Sequence, residues 1–540
     1  MSSNLRPAWA RVAAGVTLAC AAATSGAAVV PPGTVLADRQ ELVRNNGAEP
    51  ESLDPALSES TGAGNILTDL FEGLTALDGR AHVVPGIAES WQQTTPTTWV
   101  FKLRRNATWS NGTPVTASDF VYAWQRLLDP KTASPVAAML AEDFLNGPAI
   151  TQGKLPAGAL GARAIDAATL EVRTPGPRPD LPLLLATWQL APVPRATIEK
   201  FGRDWTKPGN MVSNGAYVLR DWQVNSKVVV DKNPKYWDAA HVTLARTTWL
   251  AVEDGNADVK LYQSGQEDMV MRLPPGSYQS LKAQFPGEIH NSLLIGIRYN
   301  VLNTRDPLLR DVRVRKALTM VLDREILASR VTADGQLPLY GLTLKGSQGV
   351  DPLRYEWADW PMDRRVAEAR RLLAEAGVKP GTRVKFSYNT SEYHKKMALF
   401  SAAEWKSKLG LETDLDAMEL KVLMRQSHDG ALQVSRKSWI PGFADITGLL
   451  QLVQCGSEEN DSRSCNKAAD ELMAQGQAQT DPARRRALLT QATRLQMDDY
   501  PVTPLLQMSL PRLVKPWIGG YEDDNDQDLH RSKDLYVIRH

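Results

Sequence analysis

Segments with the apolar spacing of strands alternate along this chain with segments that have the apolar spacing of helices. Residues 99–103 alternate apolar and polar side chains, which predicts a half-buried strand, and Asn111-Gly112 then marks a turn. Residues 118–128 repeat large apolar side chains at helical spacing, with Ser118 as the predicted N-cap. The apolar face of this predicted helix comprises Phe120, Val121, Trp124, Leu127 and Leu128. Such alternation is typical of an α/β fold.

The same alternation continues in the second half of the chain. Residues 313–329 have the pattern of an amphipathic helix, and residues 364–376 that of a charged helix ending at Gly377. Residues 385–389 predict a strand that leads into a polar loop. The chain has 540 residues and contains no internal repeat and no low-complexity linker. A chain of this length is expected to bury more than one hydrophobic core.

The first 27 residues have the pattern of a cleavable secretory signal peptide. Arg6 and Arg11 supply its positive charge, residues 13–24 form an uncharged and mildly apolar stretch, and Ser25-Gly26-Ala27 offers small residues to a signal peptidase. The apolar stretch is too short to cross a bilayer. We therefore expect residues 1–27 to be removed on export.

Alternative processing of this leader stays open at two points. Cleavage after Ala28 or after Ala37 also fits the small residues there. Cys20 offers a lipid-attachment site, but Thr17 stands where such a site has Leu, so lipid anchoring is the less favoured expectation. No second apolar run of about 18 residues or more follows, so we expect the mature protein to be soluble.

The charge balance and the absence of catalytic motifs argue against several classes of function. The 62 Lys and Arg residues are balanced by 61 Asp and Glu residues, and no basic patch with interleaved aromatic residues occurs, so nucleic acid is not an expected partner. The chain contains no Gly-x-Ser-x-Gly elbow, no phosphate-binding loop and no His-Glu-x-x-His motif. None of its 7 histidines pairs with another at metal-ligand spacing, so we expect neither a metal nor a cofactor. A binding protein is favoured, and a secreted hydrolase with an unrecognised carboxylate pair is the alternative.

The mature chain is expected to retain two cysteines, Cys455 and Cys465. An even number of cysteines in an exported protein favours a disulfide, which here would close a short loop. Two free surface thiols are the alternative. A zinc site needs more ligands nearby, and the closest histidine in the sequence is His428.

Seven motifs in a fixed order resemble those of the bacterial oligopeptide-binding proteins, which belong to the large solute-binding family that also contains dipeptide and nickel binders. The motifs span nearly the whole mature chain from Glu41 onward. The run Trp109-Ser110-Asn111-Gly112-Thr113-Pro114 is the most recognisable, with Asn111 where the family usually has Asp. In order, the matching segments are 42–47 with 52–55, 69–74, 109–121, 214–217, 233–237, 311–318 and 512–521.

The resemblance implies an α/β fold with two lobes that close over a cleft. This is the type II-like, cluster C form of the periplasmic-binding-protein fold, with an extra third domain. The implied divisions are a signal peptide at 1–27, a discontinuous first lobe at 28–71, 192–295 and 508–540, the extra domain at 72–191, and the second lobe at 296–507. Family members bind an extended peptide between the lobes through main-chain pairing, which is indifferent to side-chain identity.

The resemblance also implies a role. The chain would be the periplasmic, non-enzymatic component of an ATP-driven ABC importer. Its expected partners are an oligopeptide and an inner-membrane permease with its ATPase subunits, and it is expected to be a monomer without a cofactor.

Two groups of residues are implied to meet the ligand. Glu59, Ser60 and Thr61 fall where the family's backbone-pairing segment lies. Ser438 and Trp439 fall in the segment that pairs with the peptide and covers it. Without the resemblance, Glu59 would be interpreted as an exposed loop carboxylate.

A further group is implied to meet the carboxylate at the ligand's C-terminus. Asn389 and His394 lie in a segment similar to the family loop that carries a carboxylate-binding His. Arg436 matches an Arg that has this role for shorter ligands. Without the resemblance, His394 would be interpreted as a solvated loop residue and Arg436 as a surface charge at a strand end.

The chain departs from the family pattern at Gly442. The family has an Asp at this position, three residues after the Trp that matches Trp439, and that Asp binds the ligand's α-amino group. Asp445 is the nearest carboxylate downstream. Because an uncompensated buried ammonium is unfavourable by several kcal/mol, this loss is expected to change ligand preference. The ligand could be an ordinary peptide in a rearranged amine pocket, a cell-wall peptide, an N-blocked peptide or a non-peptide solute.

Overall fold

The computed structural model describes residues 29–178, 180–441, 444–479, 481–525 and 527–540. The signal peptide, Cys20 and Gly442 lie outside the described residues. The strands are β1 (Glu41–Asn45), β2 (Thr75–Leu77), β3 (Val83–Pro85), β4 (Ala88–Thr95), β5 (Thr98–Leu103), β6 (Ala162–Asp166), β7 (Thr169–Arg173), β8 (Tyr217–Gln223), β9 (Lys227–Lys232), β10 (Arg246–Leu250), β11 (Ile289–Leu302), β12 (Leu337–Pro338), β13 (Arg383–Asn389), β14 (Glu412–Met418), β15 (Val434–Trp439), β16 (Val502–Leu513), β17 (Ile518–Gly519) and β18 (Tyr536–Val537).

The α-helices vary from single turns to long amphipathic segments. They are α1 (Thr61–Leu70), α2 (Ala117–Leu128), α3 (Ala137–Ala141), α4 (Gly147–Thr151), α5 (Leu181–Leu184), α6 (Arg195–Phe201), α7 (Gly255–Gln263), α8 (Tyr278–Gln284), α9 (Val312–Met320), α10 (Arg324–Ile326), α11 (Met362–Glu375), α12 (Glu392–Leu409), α13 (Leu420–His428), α14 (Ile446–Leu450), α15 (Lys467–Ala478) and α16 (Pro482–Asp498). No helix in the described part of the chain combines the length and the apolar character that a membrane span needs.

Two large hydrophobic cores and a smaller one organise the described residues. The first core draws on buried residues from Leu42 to Met269 and from Val514 to Val537. It is associated with two four-stranded sheets, of order β1-β10-β9-β8 and β4-β5-β7-β6. The second core draws on buried residues from Ile295 to Leu506 and packs on a six-stranded sheet of order β12-β16-β11-β15-β13-β14. The separation into two large cores confirms a two-lobed α/β fold.

The antiparallel strands β11 and β16 carry the chain between the two lobes. At one end, Ile289 pairs with Leu513, which belongs to the small core, and at the other end Val301 pairs with Val502 in the second core. A β-bulge interrupts their register between Leu293 and Ile297. Bulges bend a strand and increase its twist. This one lies where the chain passes from one lobe to the other. The residue limits of the three domains stay a prediction of the sequence.

The predicted elements of the first half are confirmed, with one shift at a helix start. Strand β5 covers the alternating segment at 99–103. Helix α2 begins one residue before the predicted N-cap, Ser118. Thr116 is the N-cap instead, because Asp119 accepts hydrogen bonds from both the backbone N–H and the hydroxyl of Thr116 at 2.7 and 2.9 Å. This reciprocal capping satisfies donors that would otherwise be unpaired at the helix start.

The prediction of one continuous helix at 313–329 is wrong. Helix α9 ends at Met320, and Asp323 then caps the short helix α10 by accepting from Ile326 N at 3.0 Å. The break exists because Arg324 turns into the core and donates to the carbonyls of Thr319 and Leu322 at 3.2 and 3.0 Å. These carbonyls are left unpaired by the helix end, and the buried guanidinium satisfies them.

The disulfide between Cys455 and Cys465 is present, with a Cα–Cα distance of 4.5 Å, which confirms the pairing. Asn460 lies inside the loop that it closes. Its side-chain amide donates to the carbonyls of Gln454 and Ser464 at 2.8 and 2.9 Å. The loop is therefore held by hydrogen bonds as well as by the covalent bond.

Candidate functional site

Four of the predicted ligand-binding residues come together on the six-stranded sheet of the second lobe. Arg436 lies in the middle of β15, which pairs with β11 on one side and with β13 on the other. It donates to Asn389 Oδ1, at the end of β13, at 3.1 Å. It also donates to Ser438 Oγ, two residues along its own strand, at 2.5 Å. His394, the fourth residue, lies at the start of α12, and the positive charge of Arg436 contributes to lowering the pKa of its imidazole.

Arg436 is a buried cation whose protein contacts are neutral. Its exposed fraction is 6%, and its Nε makes no hydrogen bond within the described residues. Burial, followed by the positive charge of Arg298, lowers the pKa of Arg436 to about 9. The guanidinium is still charged at neutral pH and therefore favours an anionic ligand group. The interpretation of Arg436 as a surface charge at a strand end is wrong.

His394 lies in the first turn of a helix, and not in the predicted polar loop. Helix α12 begins at Glu392, directly after Ser391, so the sequence between β13 and α12 is very short. Burial and the charges of Arg436 and Arg298 lower the pKa of His394 to about 3. The imidazole is therefore neutral at physiological pH. Its Nδ1 is buried without a hydrogen-bond partner in the described chain.

Arg298 is a member of this site that sequence reasoning missed. It lies on β11 directly opposite Ser438 of β15, and its Nη1 donates to Ser438 Oγ at 3.2 Å. Its Nε donates to Gln336 Oε1 at 2.9 Å, and its guanidinium lies 4.8 Å from the ring centre of Tyr393. A signal was present in the sequence, because Arg298 is a single charged residue within an otherwise apolar and neutral strand.

Trp439 ends β15 beside these residues. It is half-buried, pairs with Ile297, and its indole N–H donates to Gly448 O at 3.2 Å. The next residue, Ile440, is exposed by 54%. A side chain added at Gly296 would meet Ile440 Cγ1 at 3.1 Å, so this segment lies directly against β11. Trp439 and Ile440 thus present an apolar surface beside Arg298 and Arg436.

Asp445 is fully engaged within its own lobe. It caps helix α14, because its Oδ1 accepts from the backbone N–H and the hydroxyl of Thr447 at 3.0 and 2.8 Å. Its Oδ2 accepts from Arg485 Nη1 at 2.8 Å. Both carboxylate oxygens are therefore used by the protein, and the charge of Asp445 is already compensated.

A cavity of about 670 Å³ lies between the lobes next to Asp445. One wall comes from the first half of the chain, including His82 and Leu183, and the other from Gln348, Asp445 and Arg485. A smaller cavity of about 210 Å³ lies against Arg436. Its lining residues are Leu420, Leu423, Met424, Ser427, Arg436, Lys437 and Ser438.

Residues Glu59, Ser60 and Thr61 lie in the other lobe, immediately before and at the start of α1. The carboxylate of Glu51 accepts from the backbone N–H groups of Glu59 and Ser60 at 2.6 and 2.8 Å and from the Ser60 hydroxyl. Ser60 also caps α1 by accepting from Ala63 N at 3.1 Å. Glu59 and Thr61 are exposed. This segment is thus a hydrogen-bonded, solvent-facing edge of the first lobe.

Comparisons with known proteins agree on one family. The model of the bacterial extracellular solute-binding proteins, family 5, matches residues 82–461. The periplasmic oligopeptide-binding protein OppA of Escherichia coli is 41% identical over 535 residues, which cover 98% of this chain and 98% of that protein.

Two solved structures of MppA, a periplasmic murein tripeptide-binding protein, indicate the arrangement of the lobes. Its unliganded open form has a TM-score of 0.90 at 38% identity and covers 94% of this chain and 99% of that one. Another structure, of MppA from Escherichia coli, has a TM-score of 0.71 at 37% identity and covers 94% of this chain and 100% of that one. Of these two structures, the unliganded open form superposes on this chain more closely. The lobes of this chain are arranged as in the unliganded open form.

Proposed function

This chain belongs to family 5 of the bacterial extracellular solute-binding proteins, and on that premise we propose that it is the periplasmic peptide-binding component of an ABC importer. One observation carries the ligand assignment. The buried guanidinium of Arg436 contacts only the neutral groups of Asn389 and Ser438 in the described chain. A buried cation without a counter-charge favours an anion, and the C-terminal carboxylate of a peptide is an anion of suitable geometry.

In this proposal the peptide lies extended between the lobes. The exposed edge at Glu59–Thr61 and the segment with Ser438 and Trp439 at the end of β15 offer backbone groups to the peptide main chain, which gives affinity without side-chain preference. Its terminal carboxylate reaches Arg436, and the neutral imidazole of His394 contributes a hydrogen bond rather than a charge. Movement about β11 and β16 then closes the lobes. Closure excludes water and strengthens the charge-assisted hydrogen bonds.

The remaining parts of the proposed role concern partners and compartment. The protein acts as a monomer in the periplasm after its leader, residues 1–27, is removed. The closed, loaded form docks on an inner-membrane permease, and the associated ATPase subunits drive release and transport. The protein binds its ligand without hydrolysing it. Arg436 and His394 therefore act in recognition.

The test is calorimetry with one tripeptide in two forms, with a free and with an amidated C-terminus. The wild type should bind the free acid about tenfold more tightly or better, because a charge-assisted hydrogen bond contributes about 1.5–3 kcal/mol. Arg436→Gln should remove this preference and leave the affinity for the amide nearly unchanged. Arg305→Gln, at an exposed position of the same lobe, is the matched control. Failure of the wild type to bind either form, with a non-peptide found by native mass spectrometry of the purified protein, would contradict the proposal.

A second candidate keeps the fold and the transport role but changes the ligand. Asp445 cannot serve a ligand ammonium without leaving Arg485 and the cap of α14. Gly442 supplies no carboxylate. A ligand without a free α-amine, such as an N-blocked peptide or a non-peptide solute, fits these two facts better than an ordinary peptide, and a cell-wall peptide is the remaining alternative. Native mass spectrometry of the ligand that co-purifies with the protein distinguishes the two candidates.

A further inference from the structure

Two guanidinium groups converge on one hydroxyl in the second lobe. Arg298 Nη1 is 3.2 Å from Ser438 Oγ, and Arg436 Nη2 is 2.5 Å from the same oxygen. Strand pairing fixes this arrangement, because Arg298 of β11 is directly opposite Ser438 of β15 and Arg436 lies two residues before Ser438 on the same face. A hydroxyl oxygen that accepts from two cations holds them close together.

No carboxylate balances these two cations within the described residues. The other hydrogen-bond partners of the pair are the side-chain amides of Gln336 and Asn389. The nearest acid in this network is Asp334, which accepts from Gln336 Nε2 at 2.8 Å and so reaches Arg298 only through an amide. His394 adds no negative charge. Two like charges in a poorly solvated place repel each other, so the pair stores unfavourable electrostatic energy that a ligand can relieve.

Hydrogen-bonding capacity is also left unused around the pair. Arg436 Nε and both polar atoms of the Asn300 side chain make no hydrogen bond in the described chain. Asn300 lies directly opposite Arg436 in the strand pair. The 210 Å³ cavity gives access to Arg436 and Ser438, and Arg298 itself is only half-buried. Arg436 is therefore reachable through this cavity, and Arg298 is partly open to solvent.

We propose that Arg298 and Arg436 together bind two carboxylates at one end of the ligand, one on each guanidinium. This inference rests on the proposed function and narrows it to ligands with a dicarboxylic terminal residue, such as peptides that end in Glu or Asp. One terminal carboxylate neutralises one arginine. Lobe closure would then bury the second arginine uncompensated, which is unfavourable. A second carboxylate on the same terminal residue removes that penalty. Lobe closure is then more favourable over a ligand that ends in an acidic residue than over one that ends in a neutral residue.

The experiment compares two tripeptides that differ in one charge, Ala-Ala-Glu and Ala-Ala-Gln, by calorimetry at low ionic strength. The wild type should bind Ala-Ala-Glu about tenfold more tightly, the scale of one charge-assisted hydrogen bond. Arg298→Gln should lose most of this preference through weaker binding of Ala-Ala-Glu, with the affinity for Ala-Ala-Gln almost unchanged. Arg298→Lys retains a positive charge and should keep part of the preference. Arg305→Gln is the control with an equal change of net charge at an exposed position.

Each result bears on the inference. Equal affinity of the wild type for both tripeptides overturns the inference and leaves the proposed peptide-binding function intact. A preference for Ala-Ala-Glu that is undiminished in Arg298→Gln has the same two consequences. If neither tripeptide binds to the wild type, the proposed function and the inference both fail. The lysine variant keeps the test decisive if the glutamine variant does not fold. A preference that is reduced but not abolished in Arg298→Lys supports the inference, and a preference equal to that of the wild type overturns it, because the guanidinium of Arg298 would then be dispensable.

Discussion

Asp445 and Arg485 form an ion pair on the wall of the cavity between the lobes, with 2.8 Å between Asp445 Oδ2 and Arg485 Nη1. The side chains are exposed by only 14% and 19%. Asp445 is also the nearest carboxylate that follows Gly442 in the sequence. Because Arg485 already pairs with Asp445, this carboxylate offers no free negative charge to a ligand ammonium at the end of the cleft where the family binds one.

The first prediction concerns the ligand's amino group. N-acetylation of a tripeptide should change its affinity for the wild type by less than about threefold, because no free carboxylate meets the ammonium. In Gly442→Asp, acetylation should weaken binding by about 2–5 kcal/mol, the scale for leaving one partner of a buried charge pair alone. Calorimetry measures both. A strong preference of the wild type for the free amine that Asp445→Ala abolishes would show that Asp445 serves the ammonium after all.

A companion variant tests the role of Arg485 in holding Asp445. Arg485→Gln should release the carboxylate and increase the preference for a free amine over an acetylated one. Arg486→Gln, an exposed neighbour on α16, is the matched control and should leave the preference as in the wild type. An unchanged preference in Arg485→Gln would mean that the cap of α14 alone keeps Asp445 away from the ligand.

The second prediction concerns pH and a buried pair of acids in the first lobe. Asp258 and Glu267 are each exposed by 1%, and neither oxygen of Glu267 has a hydrogen-bond donor from the described residues. Burial, and then the neighbouring Asp258, raise the pKa of Glu267 well above its ordinary value. The folded protein thus keeps on Glu267 a proton that the unfolded chain releases near pH 4.5. Stability from this group is complete below that pH and declines as the pH rises.

Glu267→Gln should therefore become progressively more stable than the wild type as the pH is raised from about 5 to about 9, because the amide does not titrate. Urea unfolding midpoints across this range measure the difference. Glu253→Gln, at an exposed position, should show no such trend. A constant difference between Glu267→Gln and the wild type at all pH values would contradict the raised pKa of Glu267.

The third prediction concerns the disulfide. Replacement of Cys455 and Cys465 together by Ser should lower the free energy of unfolding by about 2–3 kcal/mol, the value for a loop this short. The hydrogen bonds of Asn460 should keep the loop near its native form, so ligand affinity should be unaffected. Thiol titration of the denatured, unreduced mature protein should detect no free thiol. Two titratable thiols would show that the bond does not form in the exported protein.

The fourth prediction concerns Arg324, which is completely buried. Its guanidinium donates to the carbonyls of Thr319, Leu322 and Pro504, and burial lowers its pKa only to about 10, so it is charged at neutral pH. Arg324→Met should lower the free energy of unfolding by about 3–5 kcal/mol, because it leaves these carbonyls without donors. Arg330→Met, at an exposed position nearby, is the control in urea unfolding. Equal stability of the two variants would show that water replaces the guanidinium without penalty.

Much of the local structure could be predicted because it is encoded in neighbouring residues. The alternation at 99–103 and the helical spacing up to Leu128 predicted β5 and α2, and Gly377, at a φ of +74°, follows α11 as expected. The pairing of Cys455 with Cys465 followed from their number and the expected compartment. The continuous helix at 313–329 was wrong because periodicity does not reveal that Arg324 turns inward to satisfy carbonyls at the end of α9.

By itself, then, the sequence determined the α/β class, the family, the disulfide and most of the elements, since periodicity, turn residues and ordered motifs act over short stretches of chain. Only the tertiary structure decided the character of the site. Arg298 and Ser438 are 140 residues apart and meet through strand pairing, while Asp445 and Arg485 are 40 residues apart and meet through packing of α14 near α16. The neutral state of His394 likewise depends on burial beside two arginines. Charges interact through space, so their balance is set by long-range register and packing, which no local pattern records.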